Sequence, residues 1–301
     1  MLEKILAWKI VAWIIRVSKK IVLPGFDGKP LYDVTIFFFK GLVKGYITLR
    51  AAAISFSLFL AIFPFLIFLF TIIPFIPIEN FQQSLMELIR ELLPRSAYDT
   101  VKGTILDIVT RPRSSLMIFN LVLTLYFSTN GINSLIEAFN NSAHVFETRS
   151  MIKQYLISIL ILIILSILLI ISIGLMTFGS SLLQFILPDF IEKSIFFSLF
   201  VEFLRWLVIF ALLLFAISFL YALAPAKAAR FRILSAGSML ATILVILTTL
   251  GFNFYVDHFS SYNVLYGSLG TLMIVLMWIY INAISLLIGF ELNVSIKKTR
   301  E

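Results

Sequence analysis

Six apolar runs occupy most of this chain, at about 51–75, 114–138, 154–187, 201–224, 233–257 and 264–292. A hydrocarbon layer about 30 Å thick is crossed by about 20 apolar residues of helix, and each run reaches that length. Inside such a layer the backbone must satisfy its own hydrogen bonds, so runs of this kind fold as helices. With 60% hydrophobic and only 13% charged residues among 301, no water-soluble core of ordinary proportions fits. The expected fold is an all-α polytopic membrane protein with six transmembrane helices. Residues 1–35 precede the six-helix domain of 36–296, and 297–301 form a short tail.

The charge distribution orients the spans. Lys4, Lys9, Arg16, Lys19, Lys20, Lys29, Lys40, Lys44 and Arg50 come before or at the first run. Arg149 and Lys153 lie in the 139–153 loop, Lys227, Arg230 and Arg232 in the 225–232 loop, and Lys297, Lys298 and Arg300 in the tail. The opposite side holds Arg90, Arg95, Lys102, Arg111, Arg113 and Lys193. The positive-inside rule therefore predicts both termini in the cytoplasm. The net charge of +8 is a topology signal and an attraction to anionic headgroups. It is not a nucleic-acid footprint, because no basic run is interleaved with aromatics on a soluble face.

The chain has no cysteine, which excludes disulfides and thiolate chemistry. Lys9 and Arg16 interrupt the first apolar residues, and no small-x-small site follows, so a cleaved signal peptide is not expected. If residues 2–22 are helical, Lys9, Arg16, Lys19 and Lys20 share a sector of about 100° flanked by Trp8 and Trp13. That pattern reads as a helix lying in the membrane interface. Residues 23–34 hold two prolines and two glycines and read as a turn. Pro64 in the first span should kink it unless a neighbour satisfies the freed carbonyl. Between the first two spans, 78–113 is expected to form an extracytoplasmic helical hairpin broken at Pro94.

Polar side chains within spans need a partner or a task. Asn130, Asn133, Glu137 and Asn140 recur along one face of the second span, and Asn282, Ser285, Gly289 and Asn293 along one face of the sixth. Such faces either line a shared cavity or bond neighbouring helices together. Arg50, Glu137 and Glu291 fall near the cytoplasmic ends of their spans. Glu202 and Arg205, one turn apart at the outer end of the fourth span, are spaced to pair. The membrane middle carries amides and hydroxyls and almost no charge. That suits an amphiphile, with its headgroup held at an interface, better than a proton or sodium carrier. Simple ion pairing at helix ends is the rival reading.

Residues 251–272 (GFNFYVDHFSSYNVLYGSLGTL) place Tyr255, Tyr262 and Tyr266 at an outer aromatic belt. Asn263 and the Gly267–Gly270 run suit a tight re-entry. Together with LRAAAISFSLFLAIFPFLIF at 49–68, NGINSLIEAFN at 130–140, ETR at 147–149, LRW at 204–206 and GFELN at 289–293, this block resembles the YihY/BrkB family of bacterial inner-membrane proteins. The resemblance implies six spans with both termini inside. It puts Arg50, Pro64, Asn133, Glu137, Arg205, Trp206, Asn263, Tyr266, Gly267, Gly270, Glu291 and Asn293 at family-motif positions. Phe290 departs from the family's small residue before the glutamate, so packing at the inner end is expected to differ.

Members of that family carry labels as a ribonuclease, a serum-resistance factor and a transporter of lipid or lipopolysaccharide precursors. Nuclease chemistry needs a metal cluster or a His-based acid–base pair. Here the two histidines, His144 and His258, fall on opposite sides of the expected topology. The expectation is therefore no enzyme, catalytic group, cofactor or metal. The expected role is a flippase-like carrier of an anionic lipid or envelope precursor in the inner membrane. Its substrate-binding candidates are Arg50, Asn130, Asn133, Glu137, Glu202, Arg205, Asn263, Tyr266, Asn282 and Glu291. An ion-coupled exporter using Glu137 or Glu291, and an envelope-assembly scaffold, are the alternatives. Membrane lipids are the expected partners, nucleic acid is not, and Gly174 and Gly179 offer a packing face for another protomer or simply for another helix.

Overall fold

The computed structural model describes residues 9–22, 25–72, 75, 102–103, 107, 113–142, 145–146, 149–186, 195–226, 235–258 and 268–298. Two short helices, α1 (Lys9–Ser18) and α2 (Leu31–Lys44), come first. Six long ones follow: α3 (Ile47–Ile72), α4 (Ser114–Asn140), α5 (Met151–Ile186), α6 (Ile195–Leu223), α7 (Ala236–His258) and α8 (Ser268–Lys298). Each of the six is long and apolar enough to cross a membrane. Their positions follow the six runs of the sequence. At about 1.5 Å per residue, α5 is roughly 54 Å long and extends well beyond a hydrocarbon core. Helix α3 continues through Pro64.

Two elements were not foreseen. Helix α2 occupies residues read partly as a turn and partly as a lead-in to the first span. A two-residue ladder, β1 (Asn141–Ser142) with β2 (Val145–Phe146), folds the chain back directly after α4. It is too small to alter the all-α class. The 78–113 hairpin lies outside the described residues except for 102–103, 107 and 113, where Arg113 pairs with Asp107.

The chain divides into two compact units, Met1–Ser55 with Ile132–Glu301, and Phe56–Gly131. Within the second, Gly131 sits where a Cβ would stand 2.6 Å from Leu58 Cδ2, so the backbone approaches that leucine as only glycine allows. In the first, the core gathers where α3, α5 and α7 begin and α4, α6 and α8 end. Ala51, Ile54, Ile136, Phe139, Leu220, Tyr221, Leu287 and Phe290 are all buried there. Phe290 stacks on Phe139 with centroids 4.3 Å apart, and Tyr221 meets both edge-on. The phenylalanine before Glu291 thus has a defined packing role.

Tight turns and caps hold this end together. Gly45 and Tyr46 alone separate α2 from α3, and Tyr46 adopts a left-handed φ of 47°. A Cβ on Gly45 would stand 2.9 Å from Arg50 Nη2. Helix α7 starts from a reciprocal serine cap: Ser238 N–H donates to Ser235 Oγ at 3.1 Å, and Ser235 N–H to Ser238 Oγ at 3.2 Å.

Candidate functional site

Arg50, in the first turn of α3, is 8% exposed, and Glu291 of α8 is fully buried. Arg50 Nη2 donates to Glu291 Oε1 at 2.7 Å, and Nη1 donates to the Ala138 carbonyl at 2.6 Å. Ser142 Oγ of the β ladder donates to Glu291 Oε2 at 3.1 Å. Ala138 carries one of the last four carbonyls of α4, which have no partner within the helix. One guanidinium therefore joins a helix end to a carboxylate on another span. A buried pair of this kind holds because its remaining lone pairs are also bonded. The Arg50 Nε–H is buried without an acceptor. In this conformation Arg50 and Glu291 satisfy each other, and neither is presented to a ligand.

Beside this pair lies a second polar group that is accessible. Asn133 Nδ2 donates to Glu137 Oε1 at 2.9 Å on α4. Gln154, in the first turn of α5, donates through Nε2 to Asn133 Oδ1 at 2.7 Å and to Glu137 Oε1 at 3.3 Å. The Glu137 side chain is exposed. Its carboxylate is oriented by amides, with no basic side chain bonded to it among the described residues. Asn140, at the end of the same stripe, accepts the Ala226 N–H at 2.9 Å. The predicted stripe is therefore divided between neighbouring helices. Asn130 belongs to the Phe56–Gly131 unit and is half-buried there.

Two groups that sequence reasoning passed over complete this end. Arg149 donates to the carbonyls of Leu223 at 3.1 Å, Ala224 at 3.3 Å and Pro225, and so caps the C-terminus of α6. The signal for it was one basic residue just ahead of a span. Gln154 was the other, an amide next to Lys153 at the start of an apolar run. The sixth-span stripe is used mainly for packing. Asn293 Oδ1 accepts the Gly237 N–H at 2.8 Å, and its Nδ2 donates to Ser235 Oγ at 2.9 Å. A Cβ on Gly289 would lie 2.5 Å from the Gly237 carbonyl, so α7 and α8 cross on bare backbone. Asn282 differs. Its Nδ2 donates to Trp278 O at 2.9 Å, while its Oδ1 is buried without a partner.

Glu202 and Arg205 are exposed on α6, and no ion pair joins them despite their spacing. Asn263 and Tyr266 lie outside the described residues. At the other end of the α7–α8 pair, Phe252, Asn253, Val256, Ile274, Val275 and Trp278 line a cleft of about 430 Å³. Among the described residues no three His, Cys, Asp or Glu side chains converge as metal ligands.

A family model described as virulence factor BrkB matches residues 38–301. A ribonuclease-like protein of Bacillus subtilis, YfkH, is 29% identical over 252 residues, covering 84% of this chain and 90% of its own length. A UPF0761 membrane protein of Haemophilus influenzae is 27% identical over 263 residues, covering 87% and 94%. A UPF0761 membrane protein of Pseudoalteromonas translucida is 40% identical over 77 residues, about a quarter of each chain. No solved structure matches the chain.

Proposed function

The chain belongs to the virulence factor BrkB family of integral membrane proteins, and from that premise we propose that it carries an amphiphile with an anionic headgroup across the bacterial inner membrane. In this reading both termini are cytoplasmic, and the Arg50 end of the spans is the inner end. The observation that carries the proposal is the buried Arg50–Glu291 pair beside the accessible Asn133–Glu137–Gln154 group. A charge pair sealing three elements has two natural states, closed as described and open with the charges released. Opened, Arg50 offers a forked cation suited to phosphate or carboxylate. Asn282, with a buried oxygen left over, is the polar contact placed deeper along α8. The work is binding and movement rather than bond chemistry, so the chain is not an enzyme. His144 and His258 fall on opposite sides of the expected topology, so this reading leaves the ribonuclease-like description of the Bacillus relative without an acid–base pair.

The test is lipid translocation in proteoliposomes of wild type, Glu137→Gln and Asn282→Leu. Both variants are expected to remain monodisperse and to lose transport. Normal transport by both defeats the carrier reading. The exposed Glu137 carboxylate favours one alternative, an ion-coupled exporter. That reading gains if flux of a small solute follows an imposed pH gradient.

A further inference from the structure

Helix α2 has one face whose neighbours are defined and another that is apolar and uncovered among the described residues. On the inner face Val34 is 1% exposed and packs with Phe26 and Ile296, with Leu31 and Leu292 around them. At about 100° per residue, Gly41 falls on that face too, whereas Phe39 and Val43 fall opposite. Phe39 is 58% exposed and Val43 82%. Lys40 is exposed beside them. The apolar surface does not stop at the helix end, since Tyr46 in the turn and Leu49 at the start of α3 are also exposed.

Continuity with a span fixes what this surface meets. Only two residues separate α2 from α3, so the C-terminal end of α2 sits at the level where a membrane helix begins. The preceding segment is tied to α2, with Leu31 N–H donating to Ile21 O at 2.8 Å and Lys19 lying 5.0 Å from the Tyr32 ring centroid. It adds an exposed Trp13 and Arg16. Apolar side chains on the outward face, with cations at their margin, are the pattern of a helix lying in a bilayer interface.

We propose that α2 lies in the plane of the membrane surface, with Phe39 and Val43 below the headgroups and Lys40 at the level of anionic phospholipid phosphates. This surface is separate from the carrier site and stands whether or not the chain transports anything.

Because the chain lacks cysteine, single probes can be placed without background. Phe39→Cys and Val43→Cys would each carry a nitroxide in nanodiscs of zwitterionic lipid, with and without phosphatidylglycerol. Both labels should collide readily with oxygen and poorly with a soluble nickel chelate, and should sit deeper when the anionic lipid is present. Lys40→Gln should remove that dependence. Dominant nickel collisions would put α2 in water and overturn the proposal. Labels shielded from both reagents would mean that protein, such as a second copy of the chain, covers the face, which also overturns it. Equal depth in both lipid mixtures would overturn the assignment to anionic headgroups.

Discussion

Arg50 and Glu291 are the residues on which the packed end depends most, since each is buried with the other as its charge partner. Removing one leaves an uncompensated buried charge, which costs about 3–5 kcal/mol. Arg50→Ala and Glu291→Ala should each lower the thermal unfolding midpoint in detergent. The double variant Arg50→Met/Glu291→Leu should recover much of the loss, because an apolar pair of similar volume avoids the desolvation cost. Asn282 makes the opposite case. Replacing by leucine an amide whose buried oxygen has no partner is expected to be neutral or stabilising. Asn282→Leu should therefore hold or raise the midpoint, while lipid translocation falls if the amide serves the cargo. Both charges were legible individually as polar groups at span ends. Their pairing was not, because 241 residues separate them. Local spacing pointed instead to Glu202 and Arg205, which are exposed and unjoined. An exposed ion pair gains little over separate solvation, whereas a buried one has no alternative partner.

At the scale of elements, spans are held by their ends. Arg50 takes a carbonyl from the last turn of α4, Arg149 takes three from the end of α6, and the Ser235–Asn293 group fixes the start of α7. A cation at a helix C-terminus also meets the negative end of the helix dipole. Hydrogen bonds from a charged donor contribute about 1.5–3 kcal/mol each, less where exposed. Arg149→Ala should therefore speed amide exchange over 220–226 by about tenfold or more, and leave α4 unaffected. Exchange unchanged across that segment would mean the cap is idle. Sequence reasoning found all six spans because length and apolar content suffice for them. It missed α2 because Asp33, Lys40 and Gly41 interrupt its apolar residues. Nothing periodic marked the β ladder, which is two residues per strand.

For the whole molecule, the class was readable because a bilayer imposes one dimension, thickness, that a linear sequence can report. Contacts between spans follow no such rule. Glycines 237 and 289 lie far apart in sequence and meet only because α7 and α8 cross there. The polar stripes left cavity lining and interhelical bonding equally open, and in the sixth span Asn293 bonds the Gly237 backbone and the Ser235 hydroxyl. Orientation remains a charge argument, and it yields a sharp expectation. Single cysteines at Lys153, Lys227 and Lys298 should react with an impermeant maleimide only after the cytoplasmic face is opened. A cysteine at Lys193 should react from outside. The reverse pattern would invert every span.

The long separation of Arg50 from Glu291 also has a consequence during synthesis. At about 5–20 residues per second, the guanidinium waits about 12–50 s after it is made before its carboxylate exists. Through that interval Arg50 lacks the carboxylate that it meets in the folded chain. The clamp closes last, as the sixth helix arrives, and a chain cut short by ribosome arrest never closes it. An unpaired Arg50 thereby marks an unfinished product.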